Sequence, residues 1–155
     1  MPERLKYINY AIVFQEVPDE ISLAINISGC RYHCRGCHSK HLWEYKGNYL
    51  LEDLEDIINS NEFITCVCFM GGDQNMKELE EALRICKKHN LKTCLYTGNE
   101  NIKNFTKIFP WLDWIKIGRY DDTKLSDNHI EYGIKLASMN QHIYPIHSFI
   151  LTNDN

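Results

Sequence analysis

The run FITCVCFM at residues 63–70 does most to restrict what this chain can become. It is continuously apolar and carries β-branched residues, the sign of a strand covered on both faces. Strands of that kind belong to parallel sheets joined by right-handed crossovers. The flanking sequence supplies them. GGDQN breaks the run at 71–75, and MKELEEALRICKKH at 76–89 reads as a helix with Met76, Leu79, Leu83 and Cys86 on one face. Asn75 and Glu78 fit a capping box at its start, and Lys87, Lys88 and His89 close its C-terminal end. LKTCLYT at 91–97 is another buried strand, stopped by Gly98. NIKNFTKIF at 101–109 is a short helix ended by Pro110, and LDWIKI at 112–117 is the next strand, stopped by Gly118.

The earlier part of the chain reads as extended. YINYAIVFQ at 7–15 and EISLAINIS at 20–28 are two β-rich runs parted by Val17, Pro18 and Asp19, and LLEDLEDIINS at 50–60 is a helix with Leu51, Leu54, Ile57 and Ile58 on one face. Residues 121–128 are polar and loop-like, and QHIYPIHSFIL at 141–151 is a terminal strand or hairpin. No repeat or linker divides the 155 residues, so the expectation is a single domain over 1–155. Its class is α/β: an open partial (β/α) barrel with a mostly parallel sheet, since there are fewer than eight strand–helix units.

Parallel sheets carry their chemistry at the C-terminal ends of their strands. Each unusual loop in this sequence follows a strand. CRYHCRGCHS at 30–39 follows EISLAINIS, GGD at 71–73 follows FITCVCFM, YTG at 96–98 ends LKTCLYT, and GRY at 118–120 follows LDWIKI. The expectation is that they gather at one end of one sheet.

The loop at 30–39 holds three of the seven cysteines, Cys30, Cys34 and Cys37. An odd count, and an N-terminus without the apolar core of a secretory signal, argue against a disulfide framework and for reduced thiols or metal ligands in the cytoplasm. Cys66, Cys68, Cys86 and Cys94 lie in apolar segments and read as packing, although Cys66 and Cys68 point to the same side of a strand and could pair on a metal. A net charge of −4 argues against broad nucleic-acid binding, and no apolar run is long enough for a membrane span.

A structural zinc site prefers four ligands, usually as two separated pairs. Here the spacing is C-x3-C-x2-C with no second pair, and His38, next to Cys37, is poorly placed to chelate the same ion. Three thiolates can instead hold three corners of an iron–sulfur cluster and leave the fourth open to a ligand. A zinc-stabilised binding module without catalysis is the alternative from another class.

Cys30, Cys34 and Cys37 resemble, in spacing, the signature of the radical S-adenosylmethionine enzymes. Gly36 before the third cysteine, MGGD at 70–73, and the order YTG, GRY, NQ (Asn140 and Gln141) resemble more closely the small activating proteins of anaerobic ribonucleotide reductase. Asp73 stands where Glu is commoner, Asn99 where an aromatic often follows, and His142 where Arg often follows NQ. The resemblance implies a [4Fe–4S] cluster on the three cysteines and S-adenosyl-L-methionine at its open iron. Gly71, Gly72 and Asp73 are then expected to receive the amino group, and Gly36, Cys37 and His38 to lie along the adenosyl part. It further implies reductive cleavage to a 5′-deoxyadenosyl radical, a glycyl radical raised on the anaerobic ribonucleoside-triphosphate reductase, and a flavodoxin- or ferredoxin-type electron donor. An activase for another glycyl-radical enzyme, or a small-molecule enzyme of the same superfamily, is the nearest alternative. Bland readings stand beside these: Gly71 and Gly72 as a plain strand-to-helix turn, Asp73 as a helix cap, and Trp111, Trp114 and Tyr120 as core or as a docking surface. Arg31, Arg35 and Lys40 are solvated charges or a surface that attracts an acidic donor.

Overall fold

A computed structural model describes residues 3–148. In chain order the elements are β1 Lys6–Val13, β2 Ser22–Ile27, a 3-10 turn Lys40–Leu42, β3 Asn48–Tyr49, α1 Leu50–Asn59, β4 Cys66–Met70, α2 Met76–Lys88, β5 Lys92–Tyr96, a 3-10 segment Ile102–Trp111, β6 Trp114–Ile117, β7 Ile130–Glu131, β8 Ile134–Lys135 and β9 His142–Pro145. The last residues of the expected terminal strand, 149–151, lie outside the described residues.

One seven-stranded sheet runs in the order β3-β1-β2-β4-β5-β6-β9, with β7 and β8 as a separate hairpin. The pairs β2–β4, β4–β5 and β5–β6 are parallel, and β1 and β9 run against their neighbours. Five of the seven strands therefore share a direction, the α/β architecture of an open sheet with β3 at one edge and β9 at the other.

The period of two divides each central strand between two faces. Val67 and Phe69 of β4 and Leu95 of β5 face α1 and α2 and pack with Leu54, Ile57, Leu79 and Leu83. Cys66 and Cys68 turn the other way and pack with Cys94 and Val17. Burying one large aliphatic side chain contributes roughly 1.5–3 kcal/mol, so the helix-side cluster is the main anchor of the sheet.

Five details differ from the sequence reading. Phe63 is 86% exposed and precedes β4, because the polar turn 59–65 delivers the chain to the sheet only at Cys66. Leu50, not Leu51, completes the buried face of α1. The segment expected as a helix ended by Pro110 is a 3-10 turn series, Ile102–Trp111, that runs through Pro110: the ring's fixed φ fits a 3-10 turn, and only the one bond its missing N–H would have donated is lost. The capping box is half formed: Asn75 Oδ1 accepts the N–H of Glu78 at 3.1 Å, but the Glu78 carboxylate accepts the N–H of Leu5 at 2.9 Å and ties the N-terminus to α2. The β7–β8 hairpin was not expected. Its turn, Tyr132–Gly133, has positive φ at both residues, the type I′ geometry that suits strand twist.

Candidate functional site

The strand-end loops converge as expected. A cavity of about 420 Å³ opens at the C-terminal ends of β2, β4, β5 and β6, a size ordinary for a small-molecule site. Cys30, Cys34 and Cys37 line one side of it. Gly71 and Asp73 come from the loop after β4, Thr97 and Gly98 from that after β5, and Gly118 and Tyr120 from that after β6. Gln141, of the NQ pair, completes the wall.

Local geometry prepares the loop for metal. The N–H of Cys37 bonds the Cys34 carbonyl at 3.1 Å and closes a tight turn, while the N–H of Cys30 is held by Leu42 at 2.9 Å. One sulfur already receives an N–H group, Cys37 Sγ from Ser39 at 3.3 Å, and the backbone of Tyr120 favours the thiolate of Cys34. Such bonds stabilise a ligating thiolate. Burial raises the Cys34 thiol above its ordinary range, and the Tyr120 N–H and the Arg119 charge oppose that shift. Among the described residues one trio of His, Cys, Asp or Glu donors gathers within 4.8 Å, and it contains none of these thiols. Three thiols at C-x3-C-x2-C spacing on one cavity wall are a donor set that suits an iron–sulfur cluster.

The other site residues separate into two groups. Asp73 faces the cavity and does not cap α2, a role taken by Asn75. Its Oδ2 accepts the Tyr32 hydroxyl at 2.8 Å and the Thr97 hydroxyl at 3.0 Å. Gly71 lines the cavity, whereas Gly72 packs toward Leu79 and Leu5 on the core side. Gly36 and His38 stand outside the lining, both against Tyr120; the His38 ring meets the Tyr120 ring edge-on at 5.4 Å. Arg35 pairs with Asp122 at 2.8 Å and Lys40 lies over Trp43, while Arg31 borders the cavity.

Two residues that the motifs did not single out, Tyr32 and Lys116, complete the site together with Thr97 of YTG. Tyr32 lies between two of the thiols, and its ring sits on Gly98, where an added Cβ would come within 2.8 Å of it. Lys116 is ringed by protein yet open to the cavity, and desolvation pushes its ammonium down to about 8. The signal for Lys116 was present in WIKI, whose alternation buries Ile115 and Ile117 and turns Trp114 and Lys116 to the opposite face. Gln141 is buried and braces the wall: its Oε1 accepts the N–H groups of Ala137 and Ser138, each at 3.1 Å, and its Nε2 donates to the Gly118 carbonyl at 3.3 Å. Gly118 permits this approach, because a Cβ there would meet the Asn140 carbonyl at 2.7 Å.

The remaining cysteines pack. Cys66, Cys68, Cys86 and Cys94 are fully buried, and burial pushes the thiols of Cys66 and Cys94 well up and that of Cys86 to about 12. Trp111 Nε1 donates to Glu80 at 3.3 Å, and Trp114 meets Tyr132 edge-on. No helix among the described residues is long and apolar enough to cross a membrane.

No curated protein matches the chain. A family model described as a 4Fe-4S single cluster domain matches residues 21–144. That span holds the three loop thiols and every residue lining the cavity, and the chain belongs to the family of 4Fe-4S single cluster domains.

Proposed function

We propose that this protein is a radical-generating activase that uses S-adenosyl-L-methionine and raises a glycyl radical on the anaerobic ribonucleoside-triphosphate reductase. The observation that carries this reading is that three closely spaced thiols share one cavity with Gly71, Asp73 and Lys116, and that no fourth cysteine is among the residues lining it. A [4Fe–4S] cluster, when bound, supplies the low-potential electron that breaks a sulfonium S–C bond and leaves methionine and a 5′-deoxyadenosyl radical.

The chain's own residues do the rest by positioning. Cys30, Cys34 and Cys37 would hold the cluster. Asp73 presents a carboxylate suited to an ammonium group, and its orientation is fixed by Tyr32 and Thr97. Lys116 supplies a poorly hydrated cation suited to a carboxylate. An amino acid carrying both groups matches that pair. The cavity opens to solvent, and a glycine-bearing loop of a protein substrate could reach it; glycine suits the product because flanking peptide groups delocalise a Cα radical and no side chain shields it. A flavodoxin- or ferredoxin-type protein would deliver the electron.

The test is anaerobic: cluster-loaded protein, a reductant, S-adenosylmethionine and the reductase are mixed and frozen for electron paramagnetic resonance. A glycyl-radical doublet on the reductase is expected. Methionine production with a doublet only on a different glycyl-radical partner would reassign the substrate, and no methionine at all would remove the reaction.

A further inference from the structure

At the outer edge of the sheet, away from the thiol loop, three donors converge. His129 precedes β7, Glu131 lies in it, and His142 opens the edge strand β9. Glu131 Oε2 lies 2.8 Å from His142 Nδ1 and 3.3 Å from His129 Nε2, and donor atoms of all three residues fall within 4.8 Å of one another. His129 Nε2 is also 2.8 Å from the Gln141 carbonyl oxygen. The side chains of His129 and Glu131 are only 11% and 23% exposed, and that of His142 is 40% exposed. The second carboxylate oxygen, Oε1, accepts the N–H of Ile143 at 3.0 Å, which aims Oε2 at the imidazoles.

We infer that His129, Glu131 and His142 bind a divalent first-row transition ion, with Zn²⁺ as the best fit, and that the ion clasps the β7–β8 hairpin to β9. Two imidazole nitrogens and a carboxylate are the donor set such ions take, whereas Ca²⁺ and Mg²⁺ favour oxygen alone. Tetrahedral bonds of zinc to nitrogen and oxygen hold donors roughly 3.3 Å apart. The His129–Glu131 pair already has that spacing, and the His142–Glu131 pair needs to open by only about 0.5 Å. The Gln141 carbonyl stands ready as a fourth donor. On binding, each neutral imidazole turns the lone pair of the nitrogen facing Glu131 to the ion and carries its single proton on the other ring nitrogen. The Ile143 N–H then acts as the outer support that orients the carboxylate.

Edge protection alone does not explain the arrangement. Covering the free N–H of Ile143 needs one acceptor, yet two imidazoles crowd the opposite oxygen, with ring centroids 5.8 Å apart. The site also continues directly into Gln141, the brace of the cavity wall. The clasp is independent of the proposed reaction, so either can fail alone.

The test uses the full chain carrying its cluster, dialysed anaerobically against Zn²⁺ and freed of loosely held metal. One zinc per chain beyond the cluster's iron is expected, and zinc is expected to raise the unfolding midpoint. Glu131→Gln, which keeps an acceptor for Ile143, and His142→Ala should each weaken zinc binding at least tenfold and abolish the rise in midpoint. A Cys30→Ala/Cys34→Ala/Cys37→Ala chain should retain the zinc, which separates this site from the thiol loop. No retained zinc, or retention unaltered in Glu131→Gln and His142→Ala, would overturn the inference and leave the trio as a hydrogen-bonded edge cap.

Discussion

The Tyr32 hydroxyl donates a 2.8 Å hydrogen bond to Asp73 Oδ2 and thereby ties the thiol loop after β2 to the glycine turn after β4. These residues stand 41 apart in sequence, and their bond is part-buried. Burial, with the charge of Asp73, raises the Tyr32 hydroxyl above its ordinary range, so it remains a donor at neutral pH. A hydrogen bond to a charged group contributes about 1.5–3 kcal/mol. Tyr32→Phe should therefore loosen the loop without unfolding the sheet. Loss of iron to a chelator should accelerate about tenfold, with far-ultraviolet dichroism unchanged; an unaltered rate would show that the tie is incidental.

The same ring explains Gly98. A methyl group there would strike the ring of Tyr32, so Gly98→Ala should displace the loop and lower both stability and iron content. The effect should depend on the ring. In a Tyr32→Ala background, the added methyl should cost less than about 0.5 kcal/mol, which denaturant melts of the double-mutant cycle would show. Additive costs would place the clash elsewhere.

Lys116 is a stability liability kept for its position. Burial moves its ammonium from 10.5 to about 8, so the charged form costs at most about 3 kcal/mol in the folded cluster-free chain. Below pH 8 the lysine is protonated in both folded and unfolded states and the cost is full. Between about 8 and 10.5 the unfolded chain holds more protons, so wild-type stability rises with pH and the cost fades. Lys116→Met should accordingly stabilise the cluster-free chain at pH 7, and its advantage should shrink across that window. Affinity for S-adenosylmethionine in the cluster-loaded variant should fall at least tenfold by equilibrium dialysis. Retained affinity would remove Lys116 from the ligand contacts.

The two classes of cysteine should respond differently. Cys34→Ala should abolish stoichiometric iron after anaerobic reconstitution. Cys86→Ala, in the fully buried face of α2, should keep full iron and cost about 1 kcal/mol in a denaturant melt. Equal iron loss in both variants would mean that the loop thiols are not the ligands.

Much of this was legible in the sequence because it is local. Hydrophobic period gave β4, α2, β5 and β6, and the rule that parallel strands present their loops at one end brought the three thiols, GGD, YTG and GRY to a single cavity. What stayed hidden depends on which distant side chains meet. Nothing local in Asp73 announces Tyr32 and Thr97 as its donors, whereas Asn75 caps α2 as its sequence indicated. The β7–β8 hairpin was missed because its turn uses Tyr132 at positive φ, where Asn or Asp before Gly133 would have declared it. His129, Glu131 and His142 met only once that hairpin was folded against β9.

On the proposed function, Cys30, Cys34 and Cys37 should hold a four-iron cluster with one iron left free for S-adenosylmethionine. Mössbauer spectroscopy of the ⁵⁷Fe-loaded protein, before and after S-adenosylmethionine is added, tests it most directly. One iron site in the cluster should change its isomer shift and quadrupole splitting while the others keep theirs. Identical spectra in both conditions would contradict the account.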